Sequence, residues 1–110
     1  MKSYEILESI VKRANASDSV KSELKGASKI LQFELGGDKF YLQIMESGDL
    51  SLNLGAFATP NVTIIATDEV MQDILSGKLD GTKAFFSGKI KFTGDIFLSQ
   101  KLINIVKKVS

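Results

Sequence analysis

The sequence GKLDGTKAFFSGKIKFTGD at residues 77–95 decides how this chain folds. Within it, Gly88–Gly94 alternates apolar and polar residues between two glycines, a pattern typical of a short, half-buried strand. We place this strand at Lys89–Thr93. Gly94 and Asp95 then open a helix, so the stretch joins two helical regions through one strand.

Apolar residues recur at helical spacing on both sides of this stretch and predict four helices. The first has Ser3 as its predicted N-cap, and a short second helix covers Asp18–Lys25. The third begins at Asp68, and the last runs from Asp95 to about residue 108. On a helical wheel of the last helix, Phe97 falls on the lysine-bearing side, where an aromatic side chain is unusual.

Three alternating runs follow the second helix and predict strands at Lys29–Leu35, Lys39–Ile44 and Asp49–Leu54. Short, glycine-bearing separators predict an antiparallel meander, and Asn61–Thr67 follows Pro60 as a fourth strand. Alternation directs nine apolar side chains to one face: Leu31, Phe33, Leu35, Phe40, Leu42, Ile44, Leu50, Leu52 and Leu54. The elements predict an α+β fold over residues 1–110 as one domain, with a mainly antiparallel five-stranded sheet and helices covering one face.

The charge and residue composition exclude several classes of function. Fourteen Lys and Arg nearly balance thirteen Asp and Glu, so no overall positive field holds a nucleic acid, and no such partner is expected. The chain contains neither Cys nor His, which removes the commonest metal ligands and the thiol nucleophile. Asp68 and Glu69 are explained as helix-start acids, so we expect no catalytic residue, metal or cofactor, and no enzyme activity.

The N-terminal sequence and the hydropathy pattern predict where the chain resides. Glu5 lies where a secretory signal would turn apolar. No apolar run approaches the roughly 20 residues of a membrane span. We therefore expect a cytoplasmic location.

Four motifs follow one another in the C-terminal half: PNVTIIATDE at 60–69, ILSGKLD at 74–80, AFFSGKIKFTGD at 84–95 and LSQKL at 98–102. In this order they resemble the sterol carrier protein 2 (SCP2) domain family, over about residues 60–105. The resemblance implies an SCP2-like sandwich of helices and sheet. It also implies a hydrophobic tunnel that holds a sterol, a fatty acyl chain, an acyl-coenzyme A or a phospholipid, and hence lipid binding or lipid transport.

In such a domain, we expect the ligand between the inward sheet face and the apolar stripes of the later helices. The predicted ligand-binding residues are Phe33, Leu52, Ile64, Met71, Ile74, Leu75, Phe85, Phe86, Ile90, Phe92, Phe97, Leu98, Leu102, Ile105 and Val106. Adjacent Phe85 and Phe86 point in divergent directions. Either one fills the core while the other lines a tunnel or interface, or one is buried and the other is half-exposed at a loop. Phe97 either touches lipid headgroups or gates a tunnel mouth, or neighbouring loops bury it.

Two functions therefore stand side by side. The first is non-enzymatic binding or transfer of a hydrophobic ligand in an apolar tunnel, with a transient membrane surface as a further partner. The alternative is a structural or protein-interaction module, either an accessory subunit or a homodimer, with no ligand. A continuous apolar cavity would favour the first, and a packed interior with an exposed apolar patch would favour the second.

Overall fold

The computed structural model describes residues 1–109, which form five helices and five strands. In chain order the elements are α1 (Lys2–Asn15), α2 (Asp18–Leu24), β1 (Lys29–Leu35), β2 (Asp38–Ile44), β3 (Leu50–Leu54), β4 (Val62–Ala66), α3 (Asp68–Leu75), α4 (Gly81–Phe86), β5 (Lys91–Gly94) and α5 (Ile96–Val109). Every element except α4 is predicted from the sequence. Across residues 1–109, no helix has the length and apolar character needed to cross a membrane.

The five strands form one sheet in the order β3-β2-β1-β4-β5. The predicted meander is confirmed, since β2 pairs antiparallel with both β1 and β3. β5 also pairs antiparallel with β4, but β4 lies parallel to β1. The sheet is therefore mixed, and the expectation of antiparallel pairing holds for three of the four strand pairs. The parallel pair arises because the segment after β3 crosses the sheet and returns the chain to the far side of β1.

Gln32 of β1 holds this crossover segment against the sheet. Its buried Nε2 donates to the carbonyl oxygens of Phe40 (3.2 Å) and Gly55 (3.4 Å), and its Oε1 accepts a hydrogen bond from the backbone N–H of Phe57 (2.8 Å). The ring of Phe57 also contacts the ring of Tyr41, with centroids 5.3 Å apart. Because Gln32 and Tyr41 alternate with inward-facing residues, the crossover covers the sheet face opposite the core.

The core lies on the sheet face that carries Phe33 and Phe40. These residues pair across β1 and β2, and their rings stack with centroids 4.9 Å apart. Seven of the nine predicted inward side chains are buried: Leu31, Phe33, Leu35, Phe40, Leu42, Ile44 and Leu50. Leu52 is half-buried and Leu54 is 69% exposed, because β3 is an edge strand and Leu54 ends it.

α1 packs over this core and is joined to α3 through Ser3. The helix begins at Lys2 with Met1 as its N-cap, so the predicted Ser3 cap is wrong. Ser3 is buried; its Oγ donates to the backbone oxygen of Asp68 (3.0 Å), and its backbone N–H donates to Asp68 Oδ1 (3.2 Å). A buried hydroxyl needs a hydrogen-bond partner. For Ser3 the partner is the backbone oxygen of Asp68 at the start of α3, and not a group of its own helix.

The helix that the sequence did not predict is α4. The carboxylate of Asp80 caps it by accepting hydrogen bonds from two backbone N–H groups of its first turn, at 2.8 and 3.1 Å. The backbone N–H of Lys89 donates to the carbonyl oxygen of Ala84 (2.9 Å), so Lys89 belongs to the end of this helical turn. β5 therefore starts at Lys91, two residues later than expected.

Candidate functional site

A cavity of about 850 Å³, here called the inner chamber, lies between the sheet and helices α1, α3 and α5. Its volume falls within the range of ~300–1,000 Å³ that is typical of small-molecule sites. Its apolar walls come from the strands (Phe33, Ile64, Phe92), from α1 (Ile6, Ile10), from α3 (Met71, Ile74, Leu75) and from α5 (Leu102, Ile103, Val106). The helices thus cover the core face of the sheet without filling all the space above it.

A second cavity of about 300 Å³, the outer chamber, lies between α4 and the start of α5. Its walls include Phe85 and Phe86 of α4 and Ile96 and Phe97 of α5. Six residues line both chambers, and we call them the junction: Gly81, Thr82, Phe92, Ser99, Gln100 and Ile103. The outer chamber is on the solvent side of the junction, because Phe86 and Phe97 are exposed.

A close approach of α4 to α5 shapes the junction. A Cβ atom on Gly81 would lie 2.9 Å from Cδ1 of Ile103, so glycine allows the first turn of α4 to approach this side chain. Phe85 of α4 contacts Phe92 of β5, with ring centroids 5.4 Å apart. Ala84 is the buried residue of α4. The helix is therefore anchored by small and aromatic side chains beside a cavity.

Ser99 is the junction residue whose hydrogen bonding is incomplete. It is 3% exposed and lines both chambers. Its buried Oγ has no hydrogen-bond partner within residues 1–109. Leaving such a hydroxyl unsatisfied costs about 1–3 kcal/mol. A polar ligand atom at the junction would supply the missing hydrogen bond.

At the far end of the inner chamber, Arg13 joins two helices by a hydrogen bond. Val109 lies ten residues beyond Ser99 on α5, which corresponds to about 15 Å along the helix. Here Nε of Arg13 donates to the carbonyl oxygen of Val109 (2.7 Å), and Nη1 donates to Oγ of Ser9 (2.5 Å). The guanidinium therefore ties α1 to the end of α5 while its side chain lines the chamber.

The carboxylates near the chambers act as structural acceptors. The backbone N–H groups of Lys83 and Thr82 hold the pKa of Asp80 below its ordinary value, and the charges of Lys107 and Lys83 act in the same direction. Burial raises the pKa of Asp68, but hydrogen bonds from Ser3 and Gln72 outweigh burial and lower it overall. Among residues 1–109, no group of three or more acidic side chains is placed to hold a metal ion. Both carboxylates are thus ionised and engaged at neutral pH.

The fold and the cavity invite comparison with known proteins. The model of the SCP-2 sterol transfer family matches residues 7–107. This chain belongs to that family. The resemblance found at residues 60–105 is confirmed, and the match extends back over the meander to residue 7, within α1.

Relatives of this SCP-2 domain include a large enzyme and two Aedes aegypti proteins that are covered almost in full. Peroxisomal multifunctional enzyme type 2 of Mus musculus is 52% identical over 52 residues, which make up 47% of this chain and 7% of that enzyme. Sterol carrier protein-2 of Aedes aegypti in complex with palmitate has a TM-score of 0.73 at 19% identity and covers 100% of this chain and 98% of that one. Palmitated SCP2L2 of Aedes aegypti has a TM-score of 0.67 at 25% identity, over 92% and 90% of the two chains. The SCP2-like α+β fold is confirmed.

The structure places most of the predicted ligand-binding residues of this SCP-2 domain along the two chambers. Nine line the inner chamber: Phe33, Ile64, Met71, Ile74, Leu75, Ile90, Phe92, Leu102 and Val106. Phe85, Phe86 and Phe97 line the outer chamber. Phe85 and Phe86 are both exposed, so the expectation that one of them fills the core is wrong, and the exposed Phe97 is not buried by neighbouring loops.

The other three predicted residues, Leu52, Leu98 and Ile105, line neither chamber. Leu98 and Ile105 are buried within the hydrophobic core, and Leu52 packs half-buried against it. On the helical wheel of α5, Leu98 and Ile105 belong to the same arc as the chamber-lining Leu102 and Val106, whereas Leu52 lies on the edge strand β3. That arc is wide enough to serve the core and the cavity at once, which is why the wheel alone did not separate them.

α1 supplies the lining that reasoning from the sequence missed. Ile6 and Ile10 lie one turn apart, Arg13 follows three residues later, and all three line the inner chamber. The apolar stripe of α1 is visible in the sequence, and the nine inward side chains of the sheet required a cover. Those two observations together were the available signal. For Ser99 and Ile103 the sequence signal is weaker, because both residues lie at the border of the apolar arc of α5.

Proposed function

We propose that this chain binds one acyl lipid, a fatty acid or a similar single-chain amphiphile, in the inner chamber and carries it without chemical change. The inner chamber is the observation that carries the proposal, because it is a largely apolar cavity of about 850 Å³ within a domain of the SCP-2 sterol transfer family. The names of two mosquito relatives of the same fold include bound palmitate. A fatty acid is therefore the first ligand to test.

Apolar burial gives a binding free energy of the size that association costs. Burying about fifteen methylenes at ~0.8 kcal/mol each contributes ~12 kcal/mol. Association loses an estimated ~4–15 kcal/mol of translational and rotational freedom. Because the two terms are comparable, an apolar chamber binds acyl chains with modest affinity and little preference between them. Modest affinity suits a carrier that must release its ligand.

The polar head of the ligand is assigned to the junction. The Ser99 hydroxyl lacks a partner among the residues that the structure describes, so a ligand oxygen there completes its hydrogen bonding. The acyl chain then follows α5 away from the junction, toward the apolar side chains of Ile6 and Ile10. In this orientation the head group faces the outer chamber and the hydrocarbon stays out of water.

Native mass spectrometry of the purified protein, followed by extraction and identification of what is released, is the first test. A stoichiometric acyl lipid would support the proposal. A ligand-free mass, together with no binding of added fatty acid or sterol at micromolar concentration, would contradict it. That result would favour the alternative, an interaction module without a ligand.

Matched variants on α3 test where the ligand binds. Ile74 lines the inner chamber, so Ile74→Trp fills part of it, and we expect the affinity for a fluorescent fatty acid to fall at least ~10-fold, the equivalent of about two methylenes displaced. Val70→Trp adds the same ring one turn earlier, outside both chambers, and is expected to leave the affinity nearly unchanged. Undiminished binding by a folded Ile74→Trp protein would place the ligand elsewhere.

The non-enzymatic role and the cytoplasmic location are separate parts of the proposal, and a homodimer belongs to the alternative function. A fatty acid incubated with the protein and extracted again should return unaltered, and a converted product would contradict simple carriage. The mouse relative is a peroxisomal enzyme by name, so imaging of the tagged chain in cells should compare the cytoplasm with peroxisomes. Analytical ultracentrifugation over a range of protein concentrations measures any dimer.

A further inference from the structure

The rim of the outer chamber exposes an unusual amount of aromatic surface. Phe86 is 81% exposed and Phe97 is 82% exposed, more than any other large apolar side chain of residues 1–109. Phe85 and Ile96 are also exposed, and all four side chains line the outer chamber. We call these four residues the rim. Apolar side chains scattered singly over a surface need no explanation, but a contiguous group marks an interaction site.

The near-neutral net charge of the chain conceals a separation of charge along the sequence. Residues 78–110 carry seven lysines and two aspartates, whereas residues 1–77 carry seven basic and eleven acidic side chains. The rim belongs to the basic segment. The formal net charge of +1 is therefore a sum of a basic part that contains the rim and an acidic part that does not.

Lysines lie beside both exposed phenylalanines. Lys83 precedes Phe86 by three residues on α4, and Lys101 follows Phe97 by four residues on α5, so each lysine shares a helix face with a rim aromatic. Lys89 is exposed between α4 and β5. The ion pairs found within residues 1–109 engage Lys21, Lys39 and Lys108, all outside this group.

We infer that the rim and its lysines form a docking surface for an anionic phospholipid bilayer. Aromatic side chains enter the boundary between headgroups and acyl chains, while lysines around them attract anionic headgroups. The outer chamber shares the junction residues with the inner chamber, so a docked protein exchanges an acyl lipid with the bilayer through the outer chamber and the junction. In this respect the inference rests on the proposed function, since it names the partner that loads and unloads the same site.

Vesicle flotation tests the docking surface directly. The parent protein is expected to bind vesicles of equimolar phosphatidylcholine and phosphatidylserine at least ~10-fold more strongly than phosphatidylcholine alone, and added salt should weaken the binding. The double variant Lys83→Gln with Lys89→Gln should bind the anionic vesicles more weakly, by about fivefold for each lysine replaced. Neither lysine lines a chamber, so binding of a fluorescent fatty acid in solution should stay at the parent level.

A matched pair of double variants separates the rim from general surface effects. Phe97→Ser with Lys101→Glu alters the rim. The control, called the edge variant, is Leu54→Ser on β3 with Lys39→Glu on β2, on the side of the sheet away from β5. Because Lys39 forms an ion pair with Glu34, circular dichroism first verifies that the edge variant is folded. The rim variant should bind the anionic vesicles at least ~10-fold more weakly than the parent. The edge variant should bind them as the parent does.

Three results would overturn the inference: equal vesicle binding by the two double variants, indifference of the parent to phosphatidylserine, or a solution dimer that the Phe97 variant abolishes in a protein that ignores vesicles. The third result would identify a second copy of the chain as the partner of the rim. Binding of a fatty acid in solution tests the proposed function separately from vesicle binding. A parent that floats with vesicles but binds no fatty acid in solution keeps the docking surface and loses the carrier role.

Discussion

The meander and the rim use phenylalanine in opposite ways. Phe33 and Phe40 are fully buried and stack at 4.9 Å between two central strands, whereas Phe86 and Phe97 project from α4 and α5 into solvent. The first pair gains the hydrophobic free energy of burial, and the second pair forgoes it. Stability and access to the cavity are therefore located in different parts of the domain, and substitutions should separate them.

The largest expected difference comes from truncating one ring in each region. Phe40→Ala should lower the free energy of unfolding by about 3–5 kcal/mol, because it opens a cavity in the packed core. Phe97→Ala should change it by less than about 0.5 kcal/mol, because the ring is exposed. Urea unfolding followed by circular dichroism measures both. Similar losses for the two variants would mean that the rim is part of the core.

A second pair of substitutions probes how tightly each region holds its backbone. Gly48, in the turn between β2 and β3, has a φ of +92°, and a Cβ atom there would collide with the backbone carbonyl of Lys21. Gly48→Ala should therefore cost about 2 kcal/mol or more. A Cβ on Gly81 meets only the tip of Ile103, which can rotate, so Gly81→Ala should cost less than about 1 kcal/mol. Thermal unfolding of both variants checks the order, and the reverse order would contradict it.

Two buried serines sharpen the comparison at a smaller scale. Ser3→Ala removes a hydrogen bond to Asp68 and should destabilise the fold by about 1 kcal/mol. Ser99→Ala removes an unsatisfied hydroxyl, so the ligand-free protein should be equally stable or more stable by up to about 1 kcal/mol. Its affinity for a fatty acid should nevertheless fall about fivefold, the value of one hydrogen bond.

The Ser99 measurement needs two ligands to be decisive. A hydrocarbon of the same chain length has no oxygen for the hydroxyl, so its affinity should be unaffected by Ser99→Ala. Equal effects on the fatty acid and the hydrocarbon would show that the substitution alters the shape of the chamber and not a contact with the head group.

The smallest expected effect is a dependence of stability on pH. Hydrogen bonds lower the folded-state pKa of Asp68, between α1 and α3, and of Asp80, at the start of α4, from an ordinary value of 3.8. Each carboxylate therefore contributes stability that is complete above pH 3.8 and is lost as the pH falls through the lower folded-state pKa. Unfolding midpoints measured across this acidic range should fall less steeply for Asp80→Asn, which keeps a capping side chain, than for the parent. An unchanged slope would exclude Asp80 as a contributor.

The regular elements follow from the sequence because their patterns are local. The strands β1–β3 are recognised from apolar residues that recur every two positions, and the helices α1, α3 and α5 from apolar residues that recur every 3.6 positions. Both periods can be read directly from the sequence. α4 has six residues, begins with Gly81 and buries only Ala84, so it is too short to show a helical repeat of apolar residues. The parallel pairing of β4 depends on the crossover that Gln32 holds, and no residue pattern within β4 encodes a strand direction.

The candidate site was predictable to the extent that it uses the same stripes. Ile74, Leu75 and Leu102 are apolar residues of amphipathic helices, and they line the inner chamber. Leu98 belongs to the same stripe as Leu102, and it packs into the core instead. Whether a stripe residue meets packed side chains or an open space depends on how far α5 stands from the sheet, which is a tertiary distance with no local signature. The missing partner of Ser99 is likewise visible only in three dimensions.

The pairing of β1 also has a consequence for the order of events during folding. Phe33 pairs with Phe40 seven positions away and with Ile64 thirty-one positions away. Closing the longer loop costs more chain entropy, so we expect the meander to form first and β4 to dock later. Phe33 and Ile64 together line the inner chamber, which therefore does not exist until that docking is complete. A nascent chain therefore cannot bind lipid before β4 has docked. In pulse labelling during refolding, the amide protons of β1 should become protected sooner than those of β4.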